Sequence, residues 1–199
     1  MKRAAWLLVA LVWILALPAL GAAETWVIDT THTVSGFTVR HMMITNVSGV
    51  FETTKGTIEY KPGDPASVKA DIAIETRSVN TRNTRRDDDL RSDSFLNAEK
   101  FPAITFRSTR VQNARPGSFE LVGDLTIRDV TREVVLKVEG PTPPIKDNQG
   151  NRRVGASATT TINRKDFGVN YHRLIEAGGV VVGDEVRINL EIEAIERKG

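Results

Sequence analysis

The 199-residue sequence contains no cysteine. That absence excludes disulfides, thiolate metal sites and cysteine nucleophiles together, so stability must come from burial and backbone hydrogen bonds. Histidine is scarce: His32, His41 and His172 are the only three. They form no His-x-His pair, and the Met42-Met43 doublet does not recur as a repeated Met spacing, so no metal site is expected. The acidic run Asp87-Asp88-Asp89 lacks the alternating carboxylates and the glycine of a calcium loop. No Gly-x-Ser-x-Gly elbow, His-Glu-x-x-His motif or glycine-rich phosphate loop occurs, and the chain is not expected to be an enzyme. Repeats of fixed period and low-complexity tracts are also missing.

What is present begins with an address. Lys2 and Arg3 precede an apolar run from Ala4 to Leu17, Pro18 breaks it, and Gly21-Ala22-Ala23 supplies small residues before Glu24. This is the layout of a cleaved secretory signal peptide over residues 1–23, with residues 24–199 as one domain. The competing reading, an uncleaved anchor, is suggested by 20 uncharged residues from Ala4 to Ala23, but no basic stop-transfer cluster follows. A periplasmic protein with no stable membrane span after cleavage is therefore expected. The leader carries two of the 27 basic residues and none of the 25 acidic ones, so the remainder is formally neutral despite an overall charge of +2. A neutral domain lacks the concentrated positive surface that a phosphate backbone requires, so nucleic acid is not an expected partner. The sequence leaves a monomer or a homodimer open.

Alternation with period two dominates the mature region. Val186, Ile188, Leu190, Ile192 and Ala194 fall on one face, with Arg187, Asn189, Glu191 and Glu193 on the other. Val68, Ala70, Ile72 and Ile74 alternate in the same way. Eight strand-like segments are predicted: 33–43, 47–60 (bent at Gly56), 67–76, 103–111, 118–128, 131–139, 153–162 and 184–196, with a shorter one at Trp26–Ile28. Turn chemistry separates them at 61–65, 115–117 and in a long loop over 141–151. One helix is predicted over Thr84–Ser92, and a turn near Arg173–Ala177. Evenly spaced antiparallel strands of about 30 Å predict an all-β fold, an eight-stranded antiparallel barrel with one short helix.

The most unusual stretch is DDDLRSDSFLNAEKFPAITF, Asp87 to Phe106. A charged short helix leads into a loop carrying Phe95, Leu96, Phe101, Ile104 and Phe106. Burying each gains about 1.5–3 kcal/mol, so they are expected in a core or a ligand cavity. Acidic residues early in a short helix are favoured by its dipole, so Asp87–Asp89 reads as a structural cap or lid, with Arg86 and Arg91 as pairing partners or head-group contacts.

This segment resembles the YceI-like family, through Thr81, Arg86-Asp87, Leu90-Arg91-Ser92, Phe95, Phe101-Pro102, Thr105-Phe106 and Ser108-Thr109. Further matches are His32, Phe37, His41, Gly49 and Phe51, then Gly123-Asp124-Leu125-Thr126 with Val130-Thr131. Asn163-Arg164-Lys165-Asp166-Phe167-Gly168 and Val182-Gly183-Asp184 close the chain. Leu96 and Asn97 depart from the usual Phe and Asp, and Asp129 stands where Gly is usual; Asp can adopt a positive φ at modest cost. The resemblance implies an extended lipocalin-like barrel holding a long isoprenoid or similar amphiphile, with quinones among the candidates, and no other cofactor. The wall residues it suggests are Phe37, Val39, Phe51, Leu90, Phe95, Phe106, Leu125 and Phe167. His41 shares a strand face with Phe37 and Val39, so it is either a head-group contact or a hydrogen-bonded histidine fixing a strand end. Arg86 and Arg91 are the other head-group candidates. Two alternatives stand beside the lipid carrier. One is a non-catalytic envelope interaction module whose barrel is filled by its own side chains. The other is a hydrolase or isomerase using His41.

Overall fold

The computed structural model of the protein describes residues 22–174 and 179–197; most of the expected leader, and part of the turn expected near Arg173–Ala177, lie outside them. Its strands are β1 (Glu24–Ile28), β2 (Val34–His41), β3 (Thr45–Phe51), β4 (Thr54–Lys61), β5 (Asp64–Glu75), β6 (Val79–Asn80), β7 (Ala103–Arg115), β8 (Ser118–Ile127), β9 (Val130–Glu139), β10 (Ile145–Lys146), β11 (Arg152–Asn163) and β12 (Val182–Glu196). The helix is α1 (Thr84–Arg91), and single 3-10 turns span Thr76–Ser78 and Arg164–Phe167.

All pairings between these strands are antiparallel. The sheet runs through β4, β5, β7, β8, β9 and β11 to β12, which returns to pair with both β1 and β2. The result is the expected closed eight-stranded barrel, because β1 with β2, and β3 with β4, act as two bent staves. The predicted strand 47–60 is thus broken, at Glu52-Thr53 rather than at Gly56. The cause is tertiary: Glu52 and Thr53 donate their backbone N–H groups to the Ser78 carbonyl (3.1 Å) and Ser78 Oγ (3.1 Å). The expected loop over 141–151 contains β10, which pairs with β11. In the β8–β9 turn the left-handed residue is Arg128 (φ 59°), not Asp129.

One end of the barrel is packed solid. Trp26 is fully buried there with Tyr60, Val154 and Ala194, and the Arg152 guanidinium lies 5.4 Å from the indole centroid. Nearby, β1, β12 and the β10–β11 turn are joined by one ion cluster. Arg153 reaches Asp29 (2.7 Å), Asp147 (2.7 Å) and Glu193 (2.5 Å), and His32 Nδ1 lies 2.9 Å from Asp29. Although Asp29, His32 and Glu193 bring metal-type ligand atoms within 4.8 Å of one another, the cation among them is Arg153.

The opposite end carries the β2–β3 hairpin. Its two central residues, Met42 (φ 49°) and Met43 (φ 61°), are both left-handed, and Ile44 donates its N–H to the His41 carbonyl at 3.1 Å. Positive φ at both centres is the I′ pattern, which favours Asn-Gly; side chains such as Met cost about 1–2 kcal/mol each in that region. Beneath it, Gly49 leaves room for a close approach: a Cβ there would lie 2.6 Å from the Phe37 ring and 2.7 Å from the Thr81 methyl.

The ion cluster predicts a pH signature. Hydrogen bonds from Thr31, His32 and Arg153 hold Asp29 far below the usual carboxylate range, and Arg153 and Asn151 do the same for Asp147. Their stabilisation is full above the unfolded value near pH 4 and is lost as pH falls toward the depressed folded values. His32 is raised by Asp29, so its contribution is present below about pH 6.5 and fades as pH rises through the folded value. Arg153→Ala should therefore lower the melting temperature at neutral pH. The gap from wild type should shrink below about pH 4; a gap independent of pH in thermal melts would refute this reading.

Candidate functional site

Alternation places one apolar row per strand inside the barrel. On β12, Val186, Ile188, Leu190 and Ile192 face inward yet are only half-buried, whereas Arg187, Asn189 and Glu191 are exposed. Ile58, Ile72, Ile74 and Val134 are likewise half-buried inward residues. Inward aliphatics retain accessible area only if the space in front of them is empty. That space is a cavity of about 260 Å³, bounded by residues of every stave. It is far larger than the roughly 30 Å³ share of one water, and its apolar lining offers water almost no partners.

On the lining, Ser35, Thr54 and Arg164 have partners within the protein, and the Thr160 hydroxyl has none among the described residues. Ser35 and Thr54 bond to each other through their hydroxyls (2.8 Å). Arg164, on the turn after β11, also lines the cavity, but its guanidinium is taken up by the frame. Nε donates to the Gly183 carbonyl (2.9 Å), Nη1 to that of Val169 (2.6 Å), and Nη2 to Val182 (3.1 Å) and the Asp184 carboxylate (3.0 Å). Burial pushes its pKa down and Asp184 opposes that shift. Local chemistry shapes this turn: Asn163 Oδ1 accepts from the Lys165 N–H (3.0 Å), and Gly168 at φ 74° ends it.

The roof is α1 and the loop after it. Asn83 caps the helix by accepting from the Arg86 N–H at 3.1 Å. Asp87 is buried, and its Oδ1 accepts from the Thr81 N–H (2.8 Å) and hydroxyl (2.5 Å). Arg86 donates to Thr81 Oγ1 (2.7 Å) and carbonyl (2.8 Å). Arg91 donates to the carbonyls of Arg77 (2.9 Å) and Val79 (2.7 Å). On the far side Arg128 donates to the carbonyls of Phe95 (3.3 Å) and Gly168 (2.9 Å), and Tyr171 stacks on Phe95 at 4.5 Å. The roof is stapled on both flanks.

Of the wall residues expected from the sequence, Phe37, Val39, Phe51, Leu90, Phe95, Phe106 and Leu125 border the cavity. Phe167 does not: it is buried in the surrounding core, and Arg164, three residues earlier on the same turn, borders the space instead. Phe101 also stays outside, half-buried with Lys100 and Arg128 over its ring. His41 keeps the strand face of Phe37 and Val39 but sits above the rim, off the lining, paired with Thr45 and Val182. Arg86 spends its guanidinium on the Thr81 hydroxyl and carbonyl, and Arg91 on two backbone carbonyls and, as a pairing partner of the acidic run, on the Asp88 carboxylate (3.1 Å). Leu96, expected with Phe95 in a core or a ligand cavity, borders the space; residues overlooked at the sequence level are Arg128, Arg164 and Tyr171. Arg164 stood within the motifs quoted above; nothing local marks Arg128 or Tyr171 as roof fasteners.

Comparison with known proteins agrees with this architecture. The sequence profile described as YceI-like domain matches residues 26–194. A UPF0312 protein of Staphylococcus aureus is 32% identical over 165 residues, covering 83% of this chain and 94% of the relative. Among solved structures, a YCEI protein of Campylobacter jejuni is 31% identical with a TM-score of 0.69, covering 79% of this chain and 90% of that one. BcnA of Burkholderia cenocepacia shares the fold at 19% identity, with a TM-score of 0.70 and coverage of 83% and 98%. A polyisoprenoid binding domain from Saccharophagus degradans shares it at 14% identity, with a TM-score of 0.64 and coverage of 87% and 99%. With a profile match across nearly the whole barrel and relatives above 30% identity, the chain belongs to the YceI-like domain family.

Proposed function

We propose that the protein is a periplasmic carrier that holds the tail of a long-chain isoprenoid or similar amphiphile inside the barrel, after export by a leader over residues 1–23. The observation that carries this reading is the hollow: inward aliphatics of β4, β5, β9 and β12 stay half-buried around an apolar cavity, while the inward residues of β7 and β8 that line it are buried. A lumen filled by its own side chains, as an interaction module would need, would bury those rows. The printed description of the Saccharophagus degradans neighbour as a polyisoprenoid binding domain agrees with the ligand class.

Energetics favour a hydrocarbon guest. About 20 buried methylene equivalents gain about 16 kcal/mol gross, and lost motion and tail ordering cancel much of it. Tight binding thus needs no strong polar anchor. This suits a lining whose guanidinium and Ser35 and Thr54 hydroxyls are satisfied internally, leaving Thr160 as its single unmatched hydroxyl among the described residues.

Native mass spectrometry of protein purified from its own host, followed by organic extraction, should recover a prenyl-type lipid. Empty protein in every preparation, with no uptake of added prenyl alcohols, would overturn the proposal. Leu190→Trp, which fills mid-lumen space, should leave the fold intact and weaken prenyl-alcohol binding by about tenfold to a hundredfold, as loss of two or three buried methylene sites implies. Asp87→Ala leaves two buried Thr81 donors unsatisfied, at about 1–3 kcal/mol. It should loosen the roof and speed release of a fluorescent prenyl alcohol, measured by stopped-flow displacement; an unchanged release rate would show that the roof does not gate the cavity.

A further inference from the structure

Four of the seven large apolar side chains exposed among the described residues lie at the roofed end of the barrel; Val34 and Ile145 lie toward the sealed end and Val135 on β9. Met42, Met43 and Ile44 at the β2–β3 tip are 39%, 50% and 74% exposed, and Leu174 is 68% exposed. The two loops adjoin: the Met42 N–H donates to the Val181 carbonyl (2.8 Å), and the Val181 N–H donates to that of Arg173 (2.9 Å). Both lead directly into the cavity wall, since Val39 and Val182 border it and His41 pairs with Val182. The opposite end is sealed by Trp26 and Tyr60.

The tip breaks two local rules at once. Its central positions are left-handed, where Asn-Gly would be unstrained, and its side chains are apolar, where a turn is normally polar. Such a conflict marks a place where surface function outweighs local stability. Charge adds a direction. No acidic residue occurs between Thr30 and Phe51. Arg40 at the base of the hairpin and Arg173 beside Leu174 are both exposed, and neither meets a carboxylate among the described residues; Glu176 follows in the undescribed stretch. Apolar tips flanked by two exposed arginines suit the interface of an anionic bilayer, where the apolar groups enter the acyl boundary and arginines meet phosphates; Asp184 and Glu185 lie lower, at the start of β12.

We infer that the β2–β3 tip and the Leu174 side chain dock this end of the barrel onto an anionic membrane surface, so that the lipid passes between bilayer and lumen without crossing water. This rests on the carrier reading above and names the surface from which that site is loaded. Met42→Asn with Met43→Gly installs an unstrained turn, and Ile44→Asp provides an independent disruption of the apolar tip. Binding is read by co-flotation with vesicles of equal parts phosphatidylglycerol and phosphatidylcholine, and separately with phosphatidylcholine alone. Loading is read with a fluorescent prenyl alcohol delivered either from detergent or from the mixed vesicles.

Wild type should float with the mixed vesicles and less with phosphatidylcholine. The Asn-Gly variant should melt at a higher temperature, yet both variants should bind mixed vesicles about tenfold more weakly. Both should load normally from detergent and slowly from vesicles. A wild type that never floats, or variants that float as wild type does, would overturn the docking inference. Failure of wild type to load from detergent would instead strike the carrier reading, whatever the flotation result.

Discussion

β12 is the strand on which the architecture depends. One edge pairs with β11 from Glu185 to Ile195. The other pairs first with β2 and then with β1. Joined in this way, the sheet becomes a tube with every stave paired on both sides, and its inward rows face one another across the axis. An eight-stranded interior is just wide enough to fill itself or to hold one slender guest, and here the valines, isoleucines and leucines of β4, β5, β9 and β12 leave space that the phenylalanines on the lining do not close. Hollowness thus follows from the choice of side chains on a closed wall.

The polar chemistry supports the same division. Charges that occur near the lumen are spent on the frame: Arg164 on four acceptors around the β11–β12 turn, Arg86 on Thr81, Arg91 on carbonyls beneath α1. Each fastens a lid or rim and leaves no charged donor free in the cavity lining among the described residues. The sealed end uses a different device, with Trp26 under Arg152 and the neighbouring Arg153 cluster. One end is therefore welded by packing and ion pairs, and the other is stapled by side chains donating to backbone, an arrangement more easily opened.

Much of the wall was legible in the sequence because each stave has water on one face and hydrocarbon on the other. Alternation at Val186–Ala194 and Val68–Ile74 locates both the strands and their inward sides. The break at Glu52-Thr53 was not legible, since it depends on Ser78 arriving from a distant turn. Arg86 and Arg91 looked available for a ligand because nothing in a linear chain shows which carbonyls will converge on a guanidinium. Phe167 looked like wall because aromatic character says nothing of which way a 3-10 turn will aim it. Leader cleavage and export rest on the Lys2–Ala23 pattern alone.

A crystal structure of protein purified from its own host, without delipidation, tests the central claim most directly. Continuous elongated density is expected along the barrel axis, in contact with Phe106, Leu125, Ile188 and Leu190 and reaching toward Val39 and Val182. Those same side chains found repacked against one another, with no space and no density between them, would contradict it.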